Sequence, residues 1–327
     1  MNAWWVNHKQ TFRLEFRGGY LWSPKVRLDG HRNPYYEFMR ALAPGDLVFS
    51  YADGALQGIG VAQTHCYTCP RPDEFGKVGE VWDAVGWRVN VRFEPFRRPV
   101  RPRDHWQLLG PMMPEIHSPL LPNGMGKQGV YLTSLTPDLA RVLAGLGGPE
   151  FAMQLDAPAV LREAAPIFEL DLPGLAEWEA MEERRIEQDD GIPATERSAL
   201  IKARVGQGRF KENVAAIERA CRVTRVINPT HLIASHIKPW RDSSNDERLE
   251  GTNGLLLTPS IDHLFDRGFI SFEDSGELLV SPIADRDSLS RMGVPTDRVV
   301  NVGRFNVDQR HFLQFHHKNV FLKADVN

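Results

Sequence analysis

Three cysteines in 327 residues are too few for a disulfide framework, and that scarcity fits a chain at home in a reducing cytoplasm. No run of 18 or more apolar residues occurs, so no membrane-spanning helix and no membrane partner are expected. The opening Met1-Asn2-Ala3-Trp4-Trp5 lacks a basic stretch followed by an apolar one, so no secretory leader is expected either. Internal repeats and low-complexity tracts are missing, which excludes solenoids and arrays. Net charge is small as well, at −3. What is present is ordinary for a globular protein, with 42% hydrophobic and 25% charged residues and enough length for two cores.

The charge is unevenly spread. Residues 88 to 103 carry six arginines (88, 92, 97, 98, 101, 103) against one acid, Glu94. Residues 197 to 225 carry eight basic side chains against two acids, Glu212 and Glu218. Between them, residues 150 to 190 hold twelve acids against three arginines. Basic patches of this kind attract a phosphate backbone whatever the sum over the chain. A solvated surface is the plainer account of each patch taken alone.

Residues 1 to 148 read as β-rich. The runs 46–51 and 58–62 flank Asp53-Gly54, a hairpin signal. Trp87 to Phe93 alternates, with Val89, Val91 and Phe93 on one face and Arg88, Asn90 and Arg92 on the other. Short strands with Gly/Pro turns indicate a barrel or half-barrel, interrupted by helices at about 35–43 and 137–146. Residues 149 to 195 read as an acidic connector, helical over 175–188. A second domain then runs from 196 to 327 and opens with a helix over 196–203. Cys66-Tyr67-Thr68-Cys69 with His65 has the spacing of half a zinc site. The remaining cysteine, Cys221, lies in the other domain, so free thiols are the stronger reading.

The most informative stretch is Ala234-Ser235-His236-Ile237-Lys238-Pro239-Trp240, then Asn253-Gly254-Leu255-Leu256-Leu257, then Ile261-Asp262-His263-Leu264-Phe265-Asp266-Arg267-Gly268. It reads strand, long loop, strand, helix, with Thr258-Pro259-Ser260 as the helix start. Hydrolysis of a phosphodiester needs a base near neutrality, a hard cation, and something to orient the base. His236 supplies the base. Asp262 is a hard oxygen donor suited to Mg²⁺ or Mn²⁺. His263 adjoins it, and Asp266 follows one turn later on the face of Asp262. Asn253 can brace the loop through its amide. His231 reads as a surface residue.

At these residues the chain resembles the His-Asn-His (HNH) endonucleases, in the branch found in restriction-type enzymes. The likeness covers about residues 196 to 283. Arg204-Val205-Gly206-Gln207-Gly208-Arg209-Phe210 and Cys221-Arg222-Val223-Thr224 look like its lead-in, and residues 265–272 like its exit. The resemblance implies a ββα-metal fold, His236 as general base, Asn253 as the structural asparagine, and Asp262 or His263 as the ligand on the helix. The nine-residue step from Asn253 favours Asp262. It also places Arg204, Gln207, Arg209 and Lys238 along the DNA backbone. One position departs from the pattern: Ser235 stands where many such sites carry a second ligand. That leaves Asp266, His263, a hydroxyl or water for the role.

Trp4-Trp5-Val6-Asn7, Gly18-Gly19-Tyr20-Leu21-Trp22-Ser23-Pro24-Lys25, residues 46–51, Trp87 and Gln128-Gly129-Val130-Tyr131 resemble the PUA superfamily, most closely its EVE-like members. That likeness implies an α+β chain overall, with a PUA/EVE-like β-barrel bearing helices ahead of the HNH domain. It further implies a reader that takes a flipped, modified base into an aromatic pocket, with Trp22 as wall and Tyr20, Tyr51 and Trp87 behind it. The combined expectation is a restriction endonuclease that cuts double-stranded DNA carrying 5-methyl- or 5-hydroxymethylcytosine, with one divalent metal. A double-strand cut needs two such sites, so a homodimer is expected. The alternatives are an HNH nuclease with a modification-blind binding domain, and a non-catalytic binder with a decayed nuclease domain.

Overall fold

The structure, a computed structural model, describes residues 2–156 and 172–323. Residues 157–171 of the acidic stretch and residues 324–327 lie outside that description. The described residues fall into two compact units, one ending at Leu172 and the other running from Pro173 to Lys323. Among them, no helix is long and apolar enough to cross a membrane.

The first unit opens with strand β1 (Ala3–Asn7), helix α1 (Phe12–Gly18), strand β2 (Tyr20–Pro24) and the short helix α2 (Pro34–Glu37). Strands β3 (Leu47–Ala52) and β4 (Ala55–Ala62) form the hairpin expected at Asp53-Gly54. Both turn residues have positive φ, at 52° and 79°, as a two-residue hairpin matched to strand twist requires. Then come β5 (Tyr67–Pro70), α3 (Gly76–Gly79), β6 (Val85–Val100), α4 (Trp106–Leu109), β7 (Leu132–Leu135), α5 (Pro137–Gly147) and α6 (Pro149–Asp156).

These strands make one seven-stranded sheet in the order β2-β6-β4-β3-β1-β7, with β5 also on β6. Its curl comes from β6. Residues 85–90 of that strand pair with β2 and β5, and residues 91–100 pair with β4. The register with β4 slips between Leu56 and Gly58, a bulge that bends the ladder. The expected barrel is therefore corrected to a curled half-barrel: β2 and β7 end the sheet without pairing to each other. The core between this sheet and α5 holds Trp5, Phe49, Leu56, Phe96, Leu139 and Leu143.

The second unit begins with α7 (Pro173–Glu187), α8 (Ala194–Arg204) and α9 (Arg209–Ile217). Next come β8 (Ile233–His236), α10 (Asn245–Leu249), β9 (Gly254–Leu257) and α11 (Pro259–Asp266). The hairpin β10 (Ile270–Phe272) and β11 (Leu278–Val280), then α12 (Arg286–Arg291) and α13 (Val307–Asn319), complete it. Three acids of α7 have partners within this unit. Glu182 pairs with Arg248, Glu179 with Arg204 and Arg241, and Glu183 with Arg204. On α13, His316 is buried, stacks on Phe265 at 3.9 Å, and has both ring nitrogens hydrogen-bonded, to Ser271 Oγ and the Phe265 carbonyl.

Candidate active site

Strands β8 and β9 pair antiparallel, with His236 opposite Gly254 and Ser235 opposite Leu255. Pro259 opens α11 behind Thr258, where its fixed φ suits the first helical position. The sequence between the strands is polar and would wander without an anchor. Asn253 supplies one, fully buried. Its Oδ1 accepts from the Lys238 amide at 2.8 Å, and its Nδ2 donates to the carbonyls of Lys238 (3.2 Å) and Glu247 (3.0 Å) and to Ser243 Oγ (3.3 Å). One amide thus ties the start, middle and end of the loop together. A capping box between Ser244 and Glu247 fixes the start of α10.

His236 is held on two sides. Phe210 of α9 stacks on its ring at 3.7 Å and 3°. Gly254 leaves room for that ring, since a Cβ there would meet Phe210 Cζ at 2.9 Å and Val214 Cγ2 at 2.3 Å. His236 Nε2 lies 3.0 Å from the Arg248 carbonyl. A carbonyl only accepts, so Nε2 carries the proton and Nδ1 keeps its lone pair. Burial pushes the imidazole down to about 4, against the Arg248 carbonyl and the charge of Asp266, which favour protonation. At neutral pH the ring is therefore uncharged and can take a proton.

Asp262 behaves in the opposite sense. Burial raises its carboxyl to about 6, with Asp266 adding to the rise and a hydrogen bond from Ser235 opposing it. Ser235, the position that departs from the pattern, thus bonds Asp262. Asp266 is exposed one turn along α11 and acts on both His236 and Asp262. His263 is exposed and is not among the groups that act on either. Among the described residues, no group of three or more His, Cys, Asp or Glu is arranged to hold a metal. Two carboxylates remain, the donor set of a hard cation that keeps water and takes phosphate as further ligands. The chemistry fits: Asp262 is desolvated and no cationic side chain contributes to its environment.

Two of the residues expected along the DNA backbone have carboxylate partners within the protein. Arg204 is engaged by Glu179 (3.2 Å) and Glu183 (2.8 Å), and Lys238 by Glu247 at 2.6 Å. Gln207 and Arg209 are exposed. His231 is exposed too.

In the first unit, the four rings expected in one pocket do not converge, because strand alternation and the curl of the sheet send them to different layers. Tyr20 and Trp22 cluster with Phe75, and Leu14 and Trp82 pack against them. Tyr51 belongs to the main core, 5.1 Å from Trp5. Trp87 lies 5.5 Å beneath the Arg40 guanidinium. All four are buried, Trp22 to 2% exposure with its indole N–H on the Cys69 carbonyl. Cys66 and Cys69 are buried and not joined in a disulfide, and burial pushes the Cys66 thiol up to about 12, away from the thiolate that zinc requires.

Sequence reasoning passed over Phe75 and Trp82, which pack around Trp22 at 5.7 and 6.2 Å. It also passed over Arg248. The aromatic pair could have been sought in the Gly/Pro-bounded stretch 72–87. For Arg248 no sequence signal exists, since its carbonyl does the holding.

Residues 221–273 match the family described as HNH endonuclease. That stretch contains β8, β9, α11 and β10, so the chain carries an HNH nuclease domain, a class that acts on DNA and in general depends on a divalent metal. Three solved structures are similar to part of the chain. One is a protein from Pseudomonas putida, at 18% identity over 44% of this chain and 99% of that one, with a TM-score of 0.32. Another is a hypothetical protein from Leishmania major, at 11% over 45% and 94%, with a TM-score of 0.33. A protein from Pseudomonas syringae matches at 16% over 44% and 99%, with a TM-score of 0.30. No curated protein matches the chain.

Proposed function

We propose that the second unit is a working divalent-metal-dependent DNA endonuclease, with His236 as general base and Asp262 and Asp266 as the carboxylates that hold Mg²⁺ or Mn²⁺. The observation that carries this is the pairing of a neutral His236, its Nε2 spent on a carbonyl, with a desolvated Asp262 and nearby Asp266. Nδ1 takes the proton from the attacking water. Asn253 keeps the loop, and hence His236 and Lys238, in place. Ser235 orients Asp262. Gln207 and Arg209 meet the backbone. The cation, when bound, polarises the scissile phosphate and stabilises the leaving oxygen.

Residues 1 to about 148, within the first unit, are the proposed reader of modified cytosine in duplex DNA, which makes the whole a modification-dependent restriction enzyme. Its support is the PUA/EVE-like sequence pattern together with the Tyr20–Trp22–Phe75–Trp82 cluster, where Arg88 also lies 4.2 Å over the Tyr20 ring. The burial of Trp22 favours a second reading, in which this unit binds DNA without regard to modification. A cut through both strands requires two nuclease sites, and a homodimer supplies them.

Cleavage of plasmids carrying cytosine, 5-methylcytosine or 5-hydroxymethylcytosine, titrated with Mg²⁺ and Mn²⁺ and repeated in EDTA, tests all of this. Metal-dependent cutting confined to one modified plasmid is the expected result. Equal cutting of all three removes the reader and leaves the nuclease. No cutting with any metal removes the nuclease.

A further inference from the structure

Helix α7 is acidic, lies outside the matched HNH stretch, and yet reaches the catalytic histidine through two bonds. Glu182 Oε2 accepts from Arg248 Nη2 at 3.0 Å. Arg248 is 1% exposed, and its other donors are spent on the Trp240 carbonyl (2.9 Å) and Asn245 Oδ1 (3.0 Å), with the guanidinium 4.1 Å over the Trp240 ring. Its own carbonyl accepts from His236 Nε2. We propose that Glu182 and Arg248 are positioning residues for His236, so that α7 is part of the nuclease machinery and sets which ring nitrogen of His236 faces the attacking water. This rests on the nuclease reading above.

The physical argument concerns a buried charge. Glu182 is the one carboxylate bonded to the Arg248 guanidinium among the described contacts. Without it the buried cation keeps only neutral acceptors and has no opposing charge, which is costly. The cheapest relief is for α10 to shift and let the guanidinium reach water. The Arg248 carbonyl moves with it. His236 then loses the acceptor that keeps its proton on Nε2, and a fraction of the rings carries the proton on Nδ1, the nitrogen that must be bare. Phe210 still stacks on the ring, so the side chain stays near its place while its chemistry is spoiled.

Glu179 provides the control. It sits on the same helix and pairs with Arg204 and Arg241, but among the described residues no bond leads from these to His236. The experiment compares full-length wild type with Glu182→Ala, Glu182→Asp and Glu179→Ala. It reads single-turnover cleavage, the DNA concentration for half-maximal rate, the melting temperature, and the His236 tautomer by ¹⁵N NMR. Glu182→Ala is expected to slow cleavage at saturating DNA by roughly ten- to a hundredfold, the scale of a misplaced reacting group. Its half-maximal DNA concentration should stay within about twofold of wild type, and its Nε2–H tautomer should lose dominance. Glu182→Asp, which withdraws the carboxylate by one methylene, should show a smaller loss of the same kind, and it decides the matter if the alanine variant does not fold. Glu179→Ala should cut at the wild-type rate.

Equal slowing by Glu179→Ala overturns the proposal, since α7 would then matter only as packing. So does an unchanged rate and tautomer in both Glu182 variants. If the wild type cuts no DNA with Mg²⁺ or Mn²⁺, the nuclease reading fails by itself, and the tautomer comparison alone supports or overturns the positioning role.

Discussion

Replacing Asp262 with Asn should make the metal-free protein more stable while abolishing its metal response. The carboxyl of Asp262 is raised from 3.8 to about 6 by burial. Folding at pH 8 therefore buries an already ionised group in a place that favours its protonated form, at a cost of at most about 3 kcal/mol at 1.36 kcal/mol per unit. The folded value lies above the unfolded one, so stability rises as pH falls through about 6 and levels off below 3.8. His236 works against this. Its folded value, about 4, lies below the ordinary 6.5, so stability is lost as pH falls from 6.5 to 4, again by at most about 3 kcal/mol. In the wild type the two terms nearly cancel across that window. An amide at 262 keeps the acceptor for Ser235 and removes only the charge. In EDTA at pH 8 the nuclease transition, followed by calorimetry and identified as the one that Mn²⁺ raises in the wild type, should move up. A full 3 kcal/mol corresponds to about 6–12 °C for a unit of this size. The advantage should vanish near pH 4, and the variant alone should lose stability steadily on acidification. An Asn variant that melts at or below the wild type in EDTA at pH 8 would refute the reasoning, because Asp262 would then be a contented carboxylate with no call for a cation.

The other expectations concern activity and packing. His236→Ala should lower cleavage by ~10²–10⁴ with DNA affinity in a gel-shift assay nearly unchanged; near-wild-type cutting would remove His236 as the base. Asp262→Ala should raise the Mn²⁺ concentration needed for half-maximal cleavage far more than His263→Ala does, and the reverse order would move the ligand to His263. Asn253→Ala breaks four side-chain hydrogen bonds in a buried place and should cost about 2–4 kcal/mol in urea unfolding, with cleavage lost at temperatures where the unit is still folded. Trp82→Ala should reduce the ratio of modified to unmodified DNA binding by roughly 5- to 150-fold if the Trp22 cluster stacks a base, at ~1–3 kcal/mol per stacked ring; an unchanged ratio in a folded variant takes that cluster out of the reader.

Much of the fold is visible in local chemistry. Asp53-Gly54 marks its hairpin because few residue pairs tolerate two positive φ angles in succession. The order strand, loop, strand, helix over 233–266 follows from short apolar runs around a polar loop and a Thr-Pro helix start. What stays hidden is whatever depends on backbone atoms or on who meets whom. The acceptor for His236 is a carbonyl, which every residue has, so nothing in the letters singles out Arg248. The acids of α7 look like a solvated linker until their arginines are seen across from them. Trp22 and Trp87 lie on one antiparallel strand pair yet face opposite sides, because Trp22 stands opposite Arg88 and Trp87 opposite Ser23. A list of aromatics cannot carry that distinction.

The buried His316 gives the nuclease unit its own reference ring. It and His236 are each laid flat on a phenylalanine, at 3.9 and 3.7 Å. His316 has partners for both nitrogens, whereas His236 has a protein hydrogen bond described at only one. Two imidazoles in matched aromatic surroundings thus differ by a single bond. In a ¹⁵N spectrum the first should stay still through any titration with metal or DNA, and the second should move, so the molecule carries the blank against which its own reactive histidine can be read.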